Sequence, residues 1–295
     1  MTSARSQLRA TRARIAGVLD DLQEKYLREL ISHFRLAAHA DAILATARNA
    51  IRLRLTDDSG SEDDTRLGGS ADLPVEFPWP SWKNREQALI AQIMLRDLVR
   101  FDIERVLPNN GRLLFFYDSE QETCGFDPAD HGSWTVLFID DSVPTSRRSN
   151  TSYAARRLQP SAELSIPPWE SLSFQSFGFS EAETSDYIAL CGALRNDDEL
   201  VNKMLGYPEP VQGAMEEECQ FASNGIYCGN AEADKDSRAA SLKPGSADWR
   251  LLLQVDSEEA VGMLWGDVGR LYYWIRDEDL RLGNFAGTWL VLQCC

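Results

Sequence analysis

One ordered set of strand-like segments occurs twice in this chain. Leu89-Ile90-Ala91-Gln92-Ile93 is followed, nineteen residues after its glutamine, by Gly111-Arg112-Leu113-Leu114-Phe115-Phe116. Leu251-Leu252-Leu253-Gln254-Val255 is followed, fifteen residues after its glutamine, by Gly269-Arg270-Leu271-Tyr272-Tyr273-Trp274. Trp134-Thr135-Val136-Leu137 and Trp289-Leu290-Val291-Leu292 then stand 23 and 20 residues past the respective glycines. One Gly-Arg-Leu match is chance, whereas several elements in the same order argue for duplication or pseudo-symmetry. A strand module that cannot bury its face alone pairs with its twin. The expected fold is therefore α+β, with two similar β-rich subdomains forming an internal pseudo-repeat and an N-terminal helical segment before them. The corresponding divisions are 1–56 (helical), 57–160 (first β-rich half) and 161–295 (helices plus second β-rich half).

The segments between these strands have their own periodicities. Residues 4–54 predict helix: Leu8, Ile15, Leu19, Leu22, Tyr26, Leu30 and Phe34 recur at helical spacing, and Ile43, Leu44, Ala47, Ile51 and Leu53 continue it as a second helix. The acidic, Gly/Ser-containing stretch Asp57–Asp64 is a linker. A helical turn is expected around Leu95–Phe101, and residues 140–160, with two arginine pairs, read as an exposed excursion. Ser180 and Glu183 fit a capping box that opens a helix to Leu194. A further helix over Asp197–Leu205 would stop at Gly206, and 229–246 reads as a mobile loop.

Charge narrows the partners. The formal net charge is −16, and residues 1–56 hold ten Lys/Arg against five Asp/Glu, so the remainder carries −21. Such a body repels nucleic acid and anionic membrane surfaces and favours a basic protein partner, or it is simply a solvated acidic surface. The chain opens Met1-Thr2-Ser3-Ala4-Arg5 without an apolar signal core, and no apolar run approaches the ~20 residues of a membrane span. None of the six cysteines forms a C-x-x-C pair, and Cys294 and Cys295 are adjacent. Reduced thiols in a cytoplasmic protein are the expectation.

The usual catalytic constellations are missing: the chain holds no H-E-x-x-H, P-loop, G-x-S-x-G or G-x-G-x-x-G motif. His33 and His39, six apart on a helix, face different sides, and the acids and cysteines have no ligand-like spacing, so no metal and no cofactor are expected. Cys219 and Cys228 read as core thiols, and Asp118, Glu120 and Glu122 as hairpin decoration. A few residues carry two readings. Arg66-Leu67-Gly68-Gly69 is a tight turn with an exposed arginine, or a set of backbone amides that holds an anion beside Arg66. Gln92 and Gln254, polar within apolar strands, bind neighbouring backbone or point into a shared cleft. Asp267, in Trp265-Gly266-Asp267-Val268-Gly269, braces a turn or stands at a cleft mouth opposed by Arg66 or Arg270. Trp79 belongs to a rigid aromatic corner, Pro78-Trp79-Pro80-Ser81-Trp82.

These motifs resemble the YwqG-like proteins, a bacterial domain of unknown function. Arg66-Leu67-Gly68-Gly69-Ser70, Leu73-Pro74 and Trp79-Pro80 are similar to its opening signature. The Gln92 strand, Gly111–Tyr117 and Leu205-Gly206-Tyr207-Pro208 with Gln212 are similar to its middle. Gln254-Val255-Asp256, Trp265-Gly266-Asp267, Gly269–Tyr272 and Leu292-Gln293-Cys294 are similar to its end, so the resemblance spans roughly residues 60–295. It implies an α+β fold of two similar subdomains, no established enzyme activity, and an immunity or accessory role beside a toxin. Two functional expectations follow. The first is a non-enzymatic binding protein for a basic partner. The second is a small-molecule-binding module or undescribed enzyme with a cleft between the halves, lined by Arg66, Gly68, Gly69, Trp79, Gln92, Gln254 and Asp267.

Overall fold

The computed structural model describes residues 21–59, 63–150, 152–195 and 200–294. Helices α1 (Asp21–His33) and α2 (Ala40–Thr46) lead into strand β1 (Arg48–Leu55). Strands β2 (Arg66–Leu67), β3 (Ala71–Pro74), β4 (Ser81–Trp82) and β5 (Arg85–Met94) follow, and then the short helix α3 (Leu95–Leu98). Next come β6 (Arg112–Asp118), β7 (Trp134–Ile139), β8 (Thr145–Arg148) and β9 (Arg156–Ser165). Helices α4 (Leu172–Gln175) and α5 (Glu181–Leu194) precede β10 (Lys203–Leu205), α6 (Glu216–Ala222) and α7 (Ala239–Leu242). The chain closes with β11 (Trp249–Asp256), β12 (Arg270–Arg276), α8 (Asp277–Leu282) and β13 (Trp289–Gln293).

Nearly all strands join one antiparallel sheet in the order β13-β12-β11-β10-β1-β9-β2-β5-β6-β7, with β4 also on β5, while β3 and β8 pair separately. The two meanders, β5-β6-β7 and β11-β12-β13, occupy opposite ends of this order. In each the register slips before the glutamine, between Leu89 and Ala91 in one and between Leu251 and Leu253 in the other. Such bulges bend a strand and raise its twist, and the sheet curls until its ends meet. Trp134 and Trp289 pack edge to face with centroids 4.9 Å apart, and Phe115 and Tyr273 do so at 5.0 Å. The Trp134 indole donates to the Thr288 carbonyl at 3.0 Å and the Trp289 indole to the Gly125 carbonyl at 2.8 Å. Edge strands that would otherwise expose unpaired amides are thereby covered, and the main core fills the interior with Ile90, Phe115, Tyr117, Leu253, Tyr273 and Leu290, all buried.

The helical expectation for residues 4–54 holds over α1 and α2 and fails at β1, while its part before residue 21 lies outside the described residues. Arg52 and Arg54 alternate with Ile51, Leu53 and Leu55 at the strand period of two, and β1 pairs with β9 over its whole length. The polar excursion over 140–160 likewise contains β8 and the start of β9. For Asp197–Leu205 the structure gives strand at Lys203–Leu205, wedged between β1 and β11, and residues 196–199 lie outside the described residues. Gly206 does take the left-handed φ of +66°, after a strand instead of a helix. The stretch 229–246 is built of short 3-10 turns and α7. No helix among the described residues is long and apolar enough to cross a membrane.

A second core lies under the helices, where Leu27, Ile31, Ile43 and Leu44 meet Tyr187 and Leu190 of α5. The capping box forms as the sequence predicts, with the Glu183 carboxylate accepting from the Ser180 amide at 2.8 Å and approaching His39 Nε2 at 2.7 Å. The Ser180 amide, its hydroxyl and then His39 hold the Glu183 carboxyl down at about 2. A depressed carboxyl contributes stability above its unfolded value and loses it as pH falls through the folded one. The first turn of α5 should therefore lose amide-exchange protection as pH drops below 4 toward about 2, and Glu183→Gln should flatten that dependence.

Candidate functional site

The glutamines that interrupt the two apolar strands have a shared use. Gln92 is fully buried, and its Oε1 accepts the Asp72 amide at 3.2 Å while its Nε2 donates to the Asp72 carboxylate at 3.3 Å. Gln254, also fully buried, accepts the Glu209 amide at 2.9 Å and donates to the Val201 carbonyl at 2.9 Å. Each thus ties down a segment that crosses the strands, and each segment carries an acid with basic neighbours. Asp72 receives Arg112 at 2.9 Å and Arg147 at 2.9 Å. Glu209 receives the buried Lys203 at 3.2 Å, which also reaches Glu163 at 3.4 Å. Burial pushes the Glu209 carboxyl up, but Lys203 and Arg195 outweigh it and hold the group below its usual range. The 209 segment is pinned further along by Tyr272, whose hydroxyl donates to the Glu209 carbonyl at 2.8 Å, and by Gln293, which accepts from Val211 at 2.9 Å.

Arg66 lies beside Gln92 in the β2–β5 ladder and donates to the carbonyls of Asp64 and Ser70. Burial lowers its proton affinity. The Gly68 amide donates to Ile90 at 2.9 Å and the Gly69 amide to Tyr153 at 3.0 Å, so both serve the backbone. A Cβ at Gly69 would fall 2.8 Å from that of Ala155, which explains the glycine by close approach. Trp79 bonds the Gln87 carbonyl at 2.8 Å and packs on Phe116. Arg66, Gly68, Gly69 and Gln92 therefore share one cluster. Gln254 belongs to the other, across β2, β9, β1 and β10 in the sheet. Trp79 stands toward the β4 end of β5, and Asp267 sits exposed on a turn.

That turn presents a different kind of surface. The Trp265 ring is fully buried, its indole donates to the Asp256 carbonyl at 3.0 Å, and its amide donates to the Ser257 hydroxyl at 3.0 Å. The Gly269 amide closes the turn on the Trp265 carbonyl at 2.7 Å. Across the seam the Gly266 amide donates to Gln121 at 3.3 Å, joining the turn to the end of the β6 hairpin. On this anchored frame Leu264 is 55% exposed and Val268 62% exposed, with Glu259 and Asp267 exposed around them and Glu120 exposed on the adjoining hairpin. Of the four acids in residues 256–268, Glu259 and Asp267 are exposed, whereas Asp256 and Glu258 are buried, Asp256 paired with Arg270 at 3.0 Å. Val268 holds φ at +55°, a left-handed value that a β-branched residue rarely adopts. It shares the left-handed region with six other described non-glycine residues, among them Gln121, which the turn contacts across the seam.

The buried thiols are quiet, while burial pushes the Glu218 carboxyl up to about 7. Burial pushes the Cys191 thiol up to about 12 and the Cys228 thiol up to about 11, so both stay protonated near neutral pH and are poor nucleophiles. Among the described residues no cluster of His, Cys, Asp and Glu is arranged to hold a metal.

A family model for a domain of unknown function, DUF1963, matches residues 65–294, a span that takes in both glutamine clusters and the Trp265 turn. The chain belongs to the DUF1963 family. A search of curated proteins finds no match. Within this DUF1963 domain, sequence reasoning found Gln92, Gln254 and the Trp265 turn, and missed Asp72, Glu209, Lys203, Arg112 and Arg147, whose pairing depends on segments crossing the sheet. Leu264 and Val268 carried no sequence signal, because their exposure is a property of the turn geometry. Val268→Gly should stabilise the DUF1963 fold by about 1 kcal/mol by relieving the left-handed strain; a chemical denaturation series showing a loss would mean that the valine packs productively.

Proposed function

We propose that this DUF1963 protein is a non-enzymatic binding protein of the bacterial cytoplasm, YwqG-like in kind, whose Trp265 turn receives a basic protein. The observation that carries this reading is the pairing of two more-than-half-exposed apolar side chains, Leu264 and Val268, with exposed acids on a rigid turn. Apolar anchors with a charged rim are the usual anatomy of a protein interface, and the rim acids act mainly on association rate and partner choice. The net −21 of residues 57–295 adds long-range attraction for a basic partner. An immunity or accessory role toward a toxin suits a protein of this kind. The tied-down glutamine clusters support a structural role for the polar residues that would otherwise suggest chemistry. Their matching bonds, with the bulge before each glutamine, also support an origin of the two halves by duplication.

The test is affinity capture from the native host lysate, using the wild type and the double variant Leu264→Lys/Asp267→Lys. A basic protein recovered in stoichiometric amount at low salt, released at high salt and lost from the double variant is the expected result. A partner that binds the variant equally, or no partner at either salt, overturns the assignment.

A further inference from the structure

Helix α6 opens on three consecutive acids, Glu216, Glu217 and Glu218. Glu216 accepts the Met215 amide at 3.2 Å, and Glu217 holds Lys243 at 2.9 Å. The Glu218 side chain makes no hydrogen bond and no ion pair among the described residues, although it is only partly exposed. A carboxylate in that position is costly, because burial strips water from the charge and no partner replaces it. The group is not sealed off, so water and protons reach it.

Glu218 stands where α6 covers the closure of the sheet. The Cys228 thiol lies 3.9 Å from the Glu218 carbonyl, and the Cys228 amide donates to the Phe126 carbonyl at 2.8 Å. Phe126 and Tyr227 pack edge to face at 5.7 Å. The same segment receives β13, through the Leu292 amide on Cys124 at 3.0 Å and the Trp289 indole on Gly125 at 2.8 Å. Residues 124–126 thus join β13 to the layer formed by α6 and residues 226–228. The groups that feel a charge on Glu218 are thiols: Cys124 of that segment, Cys219 of α6 and Cys228. Burial first, and then the acids around them, push all three up, so they stay neutral near pH 7. Beside these thiols stand Asp130, Glu216 and Asp234, all like-charged, while Arg276, which acts on Cys219, lies over the Trp249 ring at 4.6 Å. No charge from α7, β11, β13 or the turns at 243–248 offsets Glu218, and burial alone pushes its carboxyl up to about 7.

We propose that Glu218 is a proton-operated latch on the seam: neutral, it lets α6 and residues 226–228 lie closed against residues 124–126, and ionised, it draws water between them and loosens that layer. The direction follows from linkage. A carboxyl whose folded value is raised binds its proton more tightly in the native state, so the stability it supports is complete below the unfolded value and declines as pH rises. Here that decline ends above about 7. The layer is therefore tighter in mild acid than in mild base, opposite to the dependence expected at Glu183. The latch acts on the α6 side of the seam and stands or falls separately from the Trp265 turn.

Hydrogen–deuterium exchange of the full chain at pH 6 and pH 8, corrected for intrinsic exchange rates, tests it. Protection over residues 124–126 and 218–228 should fall roughly tenfold at the higher pH. Glu218→Gln is neutral at both values and should remove the fall while keeping the protection seen at pH 6. Glu218→Leu cannot ionise either and should behave in the same way, which guards against a poor fit of the amide. Glu217→Gln and His131→Phe are the controls. Glu217 is held by Lys243, and His131 packs on Trp134 and Trp289 at the seam, so both variants should retain the fall. No fall in the wild type, an equal fall in both Glu218 variants, or a fall abolished by His131→Phe overturns the proposal.

Discussion

Replacing Gln254 by leucine should destabilise the protein by about 3 kcal/mol, because it strands two backbone groups at once, one buried and one partly buried. The Glu209 amide loses its acceptor and the Val201 carbonyl loses its donor, both at 2.9 Å and both in the segments flanking β10. Leucine fills similar volume, so the loss reports hydrogen bonding more than packing. For a chain of this length the shift in Tm is roughly 5–10 °C. Gln92→Leu should act in the same direction with a smaller effect, since its bonds to Asp72 are longer, at 3.2 and 3.3 Å. The Asp72 carboxylate would still hold Arg112 and Arg147. Thermal melts of the two variants check this. Unchanged melting of both would mean that the glutamines do not hold the crossing segments, and would return them to the cleft reading.

Gly125→Ala should be more damaging. Gly125 has φ of +90°, and a Cβ there would collide with the Leu290 carbonyl of the backbone. Its own carbonyl takes the Trp289 indole at 2.8 Å, and the neighbouring Cys124 carbonyl takes the Leu292 amide at 3.0 Å. The substitution therefore pushes β13 away from the place where the two ends of the sheet meet. A loss of more than about 4 kcal/mol is expected, in the range that marks a specific structural break. Gly178→Ala is the control: its φ is +63°, but a Cβ there meets nothing within 4 Å. It should cost only the left-handed strain, about 1–2 kcal/mol. Equal effects at the two positions, measured by denaturant unfolding, would show that the seam tolerates displacement.

The strands that were legible are those made of aliphatic and aromatic runs: β5, β6, β11, β12 and β13, buried on both faces over most of their length, and β7, which keeps Phe138 exposed. The centre of the sheet was not legible. β1 carries Arg48, Arg52 and Arg54, β9 is polar along most of its length, and β10 is three residues long with a buried lysine. Their strand character comes from neighbours distant in sequence: β1 pairs Arg52 with Ser161 on one side and with Lys203 on the other. Propensity and period carry little weight against pairing of that kind. The same limit governs the site. Gln92, Gln254 and Asp267 stood out as polar residues in an apolar or glycine-rich setting. Lys203, Glu209 and Asp72 did not, since a buried ion pair has no signature until the fold joins its members. The left-handed φ of Val268 is likewise set by the bonds that fix the turn, and the residue type gives no hint of it.

In the proposed function the acidic, apolar Trp265 turn is the working surface and the glutamine clusters are structural. Hydrogen–deuterium exchange of the protein alone and with its captured partner separates the two most directly. New protection is expected over residues 257–269 and over the adjoining hairpin at 118–122, with exchange around Asp72 and Glu209 unchanged. Protection centred on Arg66, Gln92 and Gln254, with the turn still exchanging freely, would contradict it.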